Sequence, residues 1–241
     1  MISTDDFYGF ILPVIIGRYK SFPNKIAEFG NSIWGAGWED GNGKFGKLAL
    51  GSTLSEHPIK FWANMGVTYH PIDINGINSI QFNLQNLLPE SFKNQYTILF
   101  DFGTLEHIKN QYNAWKNCHN VVHKSGTMMH ILPLTGYWKN HCYHWYTPEF
   151  FEALAKKCNY RILFLEIEKY ASNEENCDKN ICAALEKIND DEFITEAEFL
   201  EIFKKYCVSD SENFDYSKNW KPHGVNNITD VKRVFGEDLD I

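Results

Sequence analysis

Residues 96–108 read YTILFDFGTLEHI, residues 125–133 SGTMMHILP and residues 141–148 HCYHWYTP. The first two contain apolar runs of the kind found in strands buried on both faces of a sheet, and each run ends in polar, chemically capable residues. Open α/β sheets bind their ligands at the carboxyl ends of parallel strands, so this layout predicts both the fold class and the place of function.

Upstream, Lys25 to Gly30 (KIAEFG) is a short apolar run ending in an acid and a glycine, the pattern of a first parallel strand and its turn. Between Gly35 and Gly51 lie six of the sixteen glycines, interleaved with Trp38 and Phe45 and preceded by Trp34, so a long irregular flap is expected there. Ser55 is placed to cap a short helix through Ala63, with Pro58 near its first turn and Gly66 past its end. A second strand is predicted from Val67 to Asp73 and a loop from Asn83 to Pro89. Tyr96 to Phe102 is the central strand, and Gly103 permits the turn out of it.

Downstream, Trp115, Cys118, Val121 and Val122 fall at helical spacing within Asn110 to Val122, and Ser125-Gly126 is expected to end that helix before the strand Thr127 to Leu132. Thr147-Pro148-Glu149 supplies a cap, a first-turn proline and a dipole-matching acid for a helix running to about Cys158. Tyr160 to Glu168 and Ile181 to Lys187 read as strands. The polar linker between them, Tyr170 to Lys179, lacks the periodicity of a crossover helix, so the pair is expected to be antiparallel. Phe199, Ile202, Phe203 and Tyr206 mark one face of a last helix, Thr195 to Tyr206. The apolar run Phe7 to Ile16, broken by Gly9 and Pro13, reads as an element packed on the core and is too short to span a bilayer.

Composition bounds the function. A chain of 241 residues with 44% apolar and 15% aromatic content can bury a sizeable core as one domain. Lysine and arginine number 23 against 31 acids, a net charge of -8 that disfavours a phosphate-tracking surface, so neither nucleic acid nor membrane is expected as a partner. Six cysteines without a CxxC pair indicate neither a zinc module nor a disulfide framework, and reduced thiols fit a cytoplasmic protein.

Alternating strands and helices closed by an antiparallel pair, together with the residues at the strand ends, resemble the class I S-adenosylmethionine-dependent methyltransferases. FDFGTLEHI resembles the motif after the fourth strand, and GTMMHILPLTGY the fifth strand, of a subgroup in which an HG-Y-FSP-like segment follows; here that segment is HCYHWYTP. The resemblance spans about residues 25 to 187. It implies a Rossmann-like α/β fold, a mostly parallel seven-stranded sheet with a carboxyl-terminal antiparallel hairpin and helices on both faces. It also implies a division of the single domain into a cover element (1–24), a methyltransferase-like core (25–187) and a carboxyl-terminal helix and tail (188–241). S-adenosylmethionine is the implied cofactor. Glu28, Gly30 and Asn31 would approach its amino acid moiety, Asp73 and Ile74 its ribose, Asn83 and Leu84 its adenine, and Phe102, Gly103 and Thr104 would line the neighbouring strand end. The usual glycine-rich turn is here EFGNSIWG (28–35), with one close glycine remaining.

Glu106, His107, His141 and His144 are the candidate catalytic residues. A histidine facing the cleft can take a proton from an acceptor near neutral pH, and Glu106 and His107 can equally cap the helix that follows. The His141-x-x-His144 spacing, near His130 and Cys142, invites a metal. No carboxylate stands within that motif, so a substrate-pocket wall built with Tyr137, Trp138, Tyr143, Trp145 and Tyr146 is expected and no metal site. Gly41 to Gly46 (GNGKFG) is a literal GxGxxG, but it follows no strand and opens no helix. The expected activity is methylation of a small polar acceptor such as a sugar or nucleotide-sugar hydroxyl or amine. The alternatives are a catalytically inactive methyltransferase-fold binding protein and an NAD-dependent enzyme. The acceptor and the oligomeric state are not legible.

Overall fold

The computed structural model describes residues 7–19, 23–32, 58–74, 78–169 and 178–209. The expected flap over 35–51 with its GxGxxG, the Ser55 cap, most of the linker after Lys169 and the tail after Ser209 lie outside these residues, as do Ile33 to Gly35 of the first motif. Five α-helices are described: α1 (Leu12–Arg18), α2 (Pro58–Asn64), α3 (Gln111–Val121), α4 (Pro148–Cys158) and α5 (Glu196–Tyr206). The strands are β1 (Lys25–Phe29), β2 (Thr68–Asp73), β3 (Ile80–Gln81), β4 (Tyr96–Phe102), β5 (Val122–Pro133), β6 (His144–Trp145), β7 (Tyr160–Lys169), β8 (Lys179–Lys187) and β9 (Val208–Ser209).

Seven strands form one sheet in the order β3-β2-β1-β4-β5-β8-β7. The pairs β1 with β2, β1 with β4, β2 with β3 and β4 with β5 are parallel, and β8 runs antiparallel to both neighbours. This is a Rossmann-like, mostly parallel sheet with an antiparallel closing hairpin. The order reverses between β1 and β4, because the chain builds outward from β1 to β3, then returns to build outward from β4. Such a switch point opens a crevice at the carboxyl ends of the two central strands.

Alternation along the strands feeds two cores. Leu99, Met128, Leu132 and Leu185 pack with Trp115, Phe150, Phe151 and Phe199 of α3, α4 and α5 on one face. Ile98, Phe100, Met129 and Ala184 pack with Val14 and Ile15 of α1 and Phe61 and Trp62 of α2 on the other. The amino-terminal segment therefore seals the core, as its apolar run implies. Thr195 closes a capping box with Glu198, the reason α5 starts there. No described helix is long and apolar enough to cross a membrane, and the five described cysteines form no disulfide.

Two expectations are corrected. Ser125-Gly126 does not stop α3, which passes directly into β5 at Val122. The stop is the buried Lys187 ammonium, which donates to the carbonyls of His119 and Val122 at 3.1 Å and to Asn94 Oδ1 at 3.0 Å. Ser125, at φ 67°, and Gly126 form an irregularity within the strand, where a Cβ on Gly126 would lie 2.8 Å from the His123 carbonyl. Thr147 precedes α4 as expected, but its side chain makes no capping hydrogen bond. The structure adds β3, only two residues long, and a small antiparallel sheet pairing β6 with β9.

Candidate active site

Glu28 lies at the end of β1 with no exposed surface. Its Oε1 accepts from the Ser32 amide at 3.1 Å and its Oε2 from the Tyr69 hydroxyl. Burial pushes its carboxyl up to about 7, against the lowering effect of those donors. Gly30 follows with φ 91° and donates its amide to the Ile72 carbonyl at 2.8 Å. A Cβ at Gly30 would meet Thr104 Oγ1 at 2.3 Å, so the missing side chain is what lets the turn after β1 pass beside the turn after β4.

Asp73 is half-buried at the carboxyl end of β2, and its carbonyl accepts from the Phe82 amide at 3.0 Å. Ile74 beyond it is half exposed. Asn83 Oδ1 accepts from the Gln85 amide at 3.1 Å, which shapes the loop, while Leu84 is buried in the core beneath α3, α4 and α5. An amide oxygen has a second lone pair and the nitrogen two donors, so Asn83 keeps capacity for a ring edge.

At the end of β4 the organising residue is one the sequence reading did not single out. Asp101, fully buried, accepts from the amides of Thr104 at 3.3 Å and Leu105 at 3.1 Å through Oδ1, and its Oδ2 pairs with His130 Nδ1 at 2.9 Å. His130 is its register partner on β5 and lies against Trp115. The signal was an acid inside YTILFDF: a carboxylate placed in an apolar strand must find donors or lose its charge. Gly103, at φ 84°, then turns the chain into a short 3-10 helix, Leu105–His107.

That turn carries Glu106, which is buried, and His107, which is half-buried. Burial and the neighbouring Asp101 push the Glu106 carboxyl well up. Its Oε1 stands 3.6 Å from His107 Nε2, and its Oε2 has no hydrogen-bond partner among the described residues. His141, exposed and from the loop after β5, meets His107 edge-on with ring centroids 5.0 Å apart. One ligating atom each of Glu106, His107 and His141 lies within 4.8 Å of the others. Burial, with His141 and His144 nearby, lowers His107 to about 3, which favours the neutral imidazole.

The remaining histidines bond elsewhere, although His144 stays near enough to His107 to help lower its pKa. His144 sits in β6, bonds Ser209 Oγ through Nδ1 at 2.8 Å and packs on Phe203. His130 belongs to Asp101, and Cys142 donates its thiol to the His144 carbonyl at 3.1 Å. Of the expected aromatic wall, Tyr143, Trp145 and Tyr146 are buried, and Tyr146 packs on Trp115 and Phe150 in the core. Tyr137 and Trp138 remain half-buried, with Trp138 tilted against His141 at 4.9 Å.

No protein-family model and no curated protein matches the chain. Solved structures do. A Burkholderia thailandensis 1,6-didemethyltoxoflavin-N1-methyltransferase, solved with 1,6-didemethyltoxoflavin and S-adenosylhomocysteine, matches at 10% identity over 74% of this chain and 76% of its own, with a TM-score of 0.48. A Methanosarcina mazei S-adenosylmethionine-dependent methyltransferase matches at 12% identity over 73% and 97% respectively, with a TM-score of 0.46. The 4+2 cyclase SpnF matches at 9% identity over 74% and 80%, with a TM-score of 0.49.

Proposed function

We propose that the chain is an S-adenosylmethionine-dependent methyltransferase acting on a small polar acceptor, a sugar or nucleotide-sugar hydroxyl or amine being the class its residues suit. The observation that carries the reading is the switch point between β1 and β4, at whose edge the chain gathers Glu28, Gly30, Asp73 and the Gly103–Glu106 turn. In this reading Glu28 receives the cofactor's ammonium and Asp73 its two ribose hydroxyls, a task a carboxylate suits because each oxygen accepts a hydrogen bond. Asn31, Ile74, Asn83, Leu84, Phe102 and Thr104 complete the cofactor wall. The acceptor lies against Glu106, His107 and His141, with His144 behind them. Transfer from a sulfonium is an in-line displacement that needs mainly positioning, which three polar groups on one side of the crevice supply. Transfer of a tritiated methyl group from S-adenosylmethionine onto a panel of sugars, nucleotide-sugars and amines tests this: labelled product from at least one class is expected.

A second reading, a binding protein on the same fold, is favoured by Glu28, whose two oxygens already receive Ser32 and Tyr69. Binding of S-adenosylhomocysteine with no labelled product from any acceptor would establish it instead.

A further inference from the structure

No carboxylate stands within His141-x-x-His144 in the sequence. The fold supplies one from another segment and dissolves the original pair, since His144 turns to Ser209 while His141 joins Glu106 and His107. We propose that Glu106, His107 and His141 form a binding site for a divalent transition-metal cation of the zinc or cobalt type, with its remaining coordination positions open.

Three observations carry this. The donor set is one carboxylate and two imidazoles, the mixture such ions take in sites that keep positions open for water or substrate. The spacing fits: two ligands about 2.1 Å from a tetrahedral ion lie about 3.4 Å from each other, and Glu106 Oε1 stands 3.6 Å from His107 Nε2. The third donor needs only a small closing movement from within 4.8 Å, and His141 is exposed on a loop where that is feasible. The independent sign is Glu106 itself. Its side chain is 2% exposed, yet Oε2 has no hydrogen-bond partner among the described residues, and a buried carboxylate oxygen without a donor is a natural place for an ion or an ordered water. Gly103 leaves room for this carboxylate, since a Cβ there would approach Glu106 Oε1 to 3.3 Å.

Metal binding stands independently of methyl transfer. Where the methyl-transfer reading also holds, an acceptor hydroxyl on the ion would lose its proton more easily, because the ion's charge stabilises the alkoxide.

The test uses the whole chain, stripped with chelator and titrated with Co²⁺ alone, without cofactor, and read by calorimetry and visible absorption. One Co²⁺ per chain is expected, with the absorption of a low-coordinate nitrogen and oxygen site. His141→Ala, a change at an exposed residue, and Glu106→Gln are expected to lose that absorption. His144→Ala is expected to keep it. Failure of the wild-type chain to bind, or absorption that survives His141→Ala but disappears in His144→Ala, would overturn the site. Neither result depends on S-adenosylmethionine binding, which is measured separately.

Discussion

Glu28 is held between two opposing effects. Ser32 and Tyr69 donate to its oxygens and favour the carboxylate, while complete burial favours the acid and wins, raising the group from 4.5 to about 7. A raised carboxyl means the folded chain binds a proton that the unfolded chain has released. Its contribution to stability is therefore fully present below 4.5 and is lost as pH rises through about 7. The loss amounts to about 3 kcal/mol at most. Glu28→Gln cannot titrate, so in urea unfolding the stability of the wild type relative to this variant is expected to fall between pH 5 and pH 8. A constant or rising difference would show that Glu28 is ionised throughout. The places of Glu28 and Asp73 were legible because an acid directly after buried apolar residues marks a strand end. The pairing of Asp101 with His130 was not, because it needs the register of β4 on β5, which neither strand states alone. The meeting of Glu106 with His141 was hidden for the same reason.

At the scale of elements, helices and long strands could be read from periodicity and caps, and the misreadings have physical causes. Ser125-Gly126 has the composition of a helix stop, but the stop is made by Lys187, some sixty residues later in the chain. β3 and β6 are too short for any period to register. The packing of the first turn against the fourth is the element contact on which the site depends. Gly30→Ala puts a Cβ at a left-handed φ and against Thr104 Oγ1, and the backbone part alone costs about 1–2 kcal/mol. We expect Gly30→Ala to unfold at lower denaturant than wild type, and Gly30→Ala/Thr104→Ala to regain part of the loss, since the second change relieves the contact but not the φ. Full recovery would mean that the backbone conformation at Gly30 carries no strain.

For the whole molecule, a mostly parallel sheet with an antiparallel closing pair was legible in the alternation of strand and helix patterns and the polar linker before the last strand, whereas the strand order β3-β2-β1-β4-β5-β8-β7 emerges only from the fold. Buried charge then fastens the layers. Glu186 in β8, 2% exposed, receives both Arg161 of β7 and Arg18 of α1, so one carboxylate ties the amino-terminal cover to the far edge of the sheet. Lys187 beside it joins the end of α3, the start of β5 and the segment before β4. Lys187→Met keeps the aliphatic stem but leaves three acceptors without this donor. We expect on the order of 3 kcal/mol of destabilisation, or roughly a 10 °C lower melting temperature for a chain of this size.

Everything proposed for methyl transfer at the site requires that the carboxyl edge of this sheet bind S-adenosylmethionine. Calorimetric titration of S-adenosylmethionine and S-adenosylhomocysteine into the wild type and Asp73→Ala, near neutral pH, tests it most directly. Micromolar binding to the wild type that Asp73→Ala abolishes, with the variant still folded by circular dichroism, is the predicted result. Absence of binding to the wild type, or equal binding by the variant, would rule out a cofactor site at Asp73.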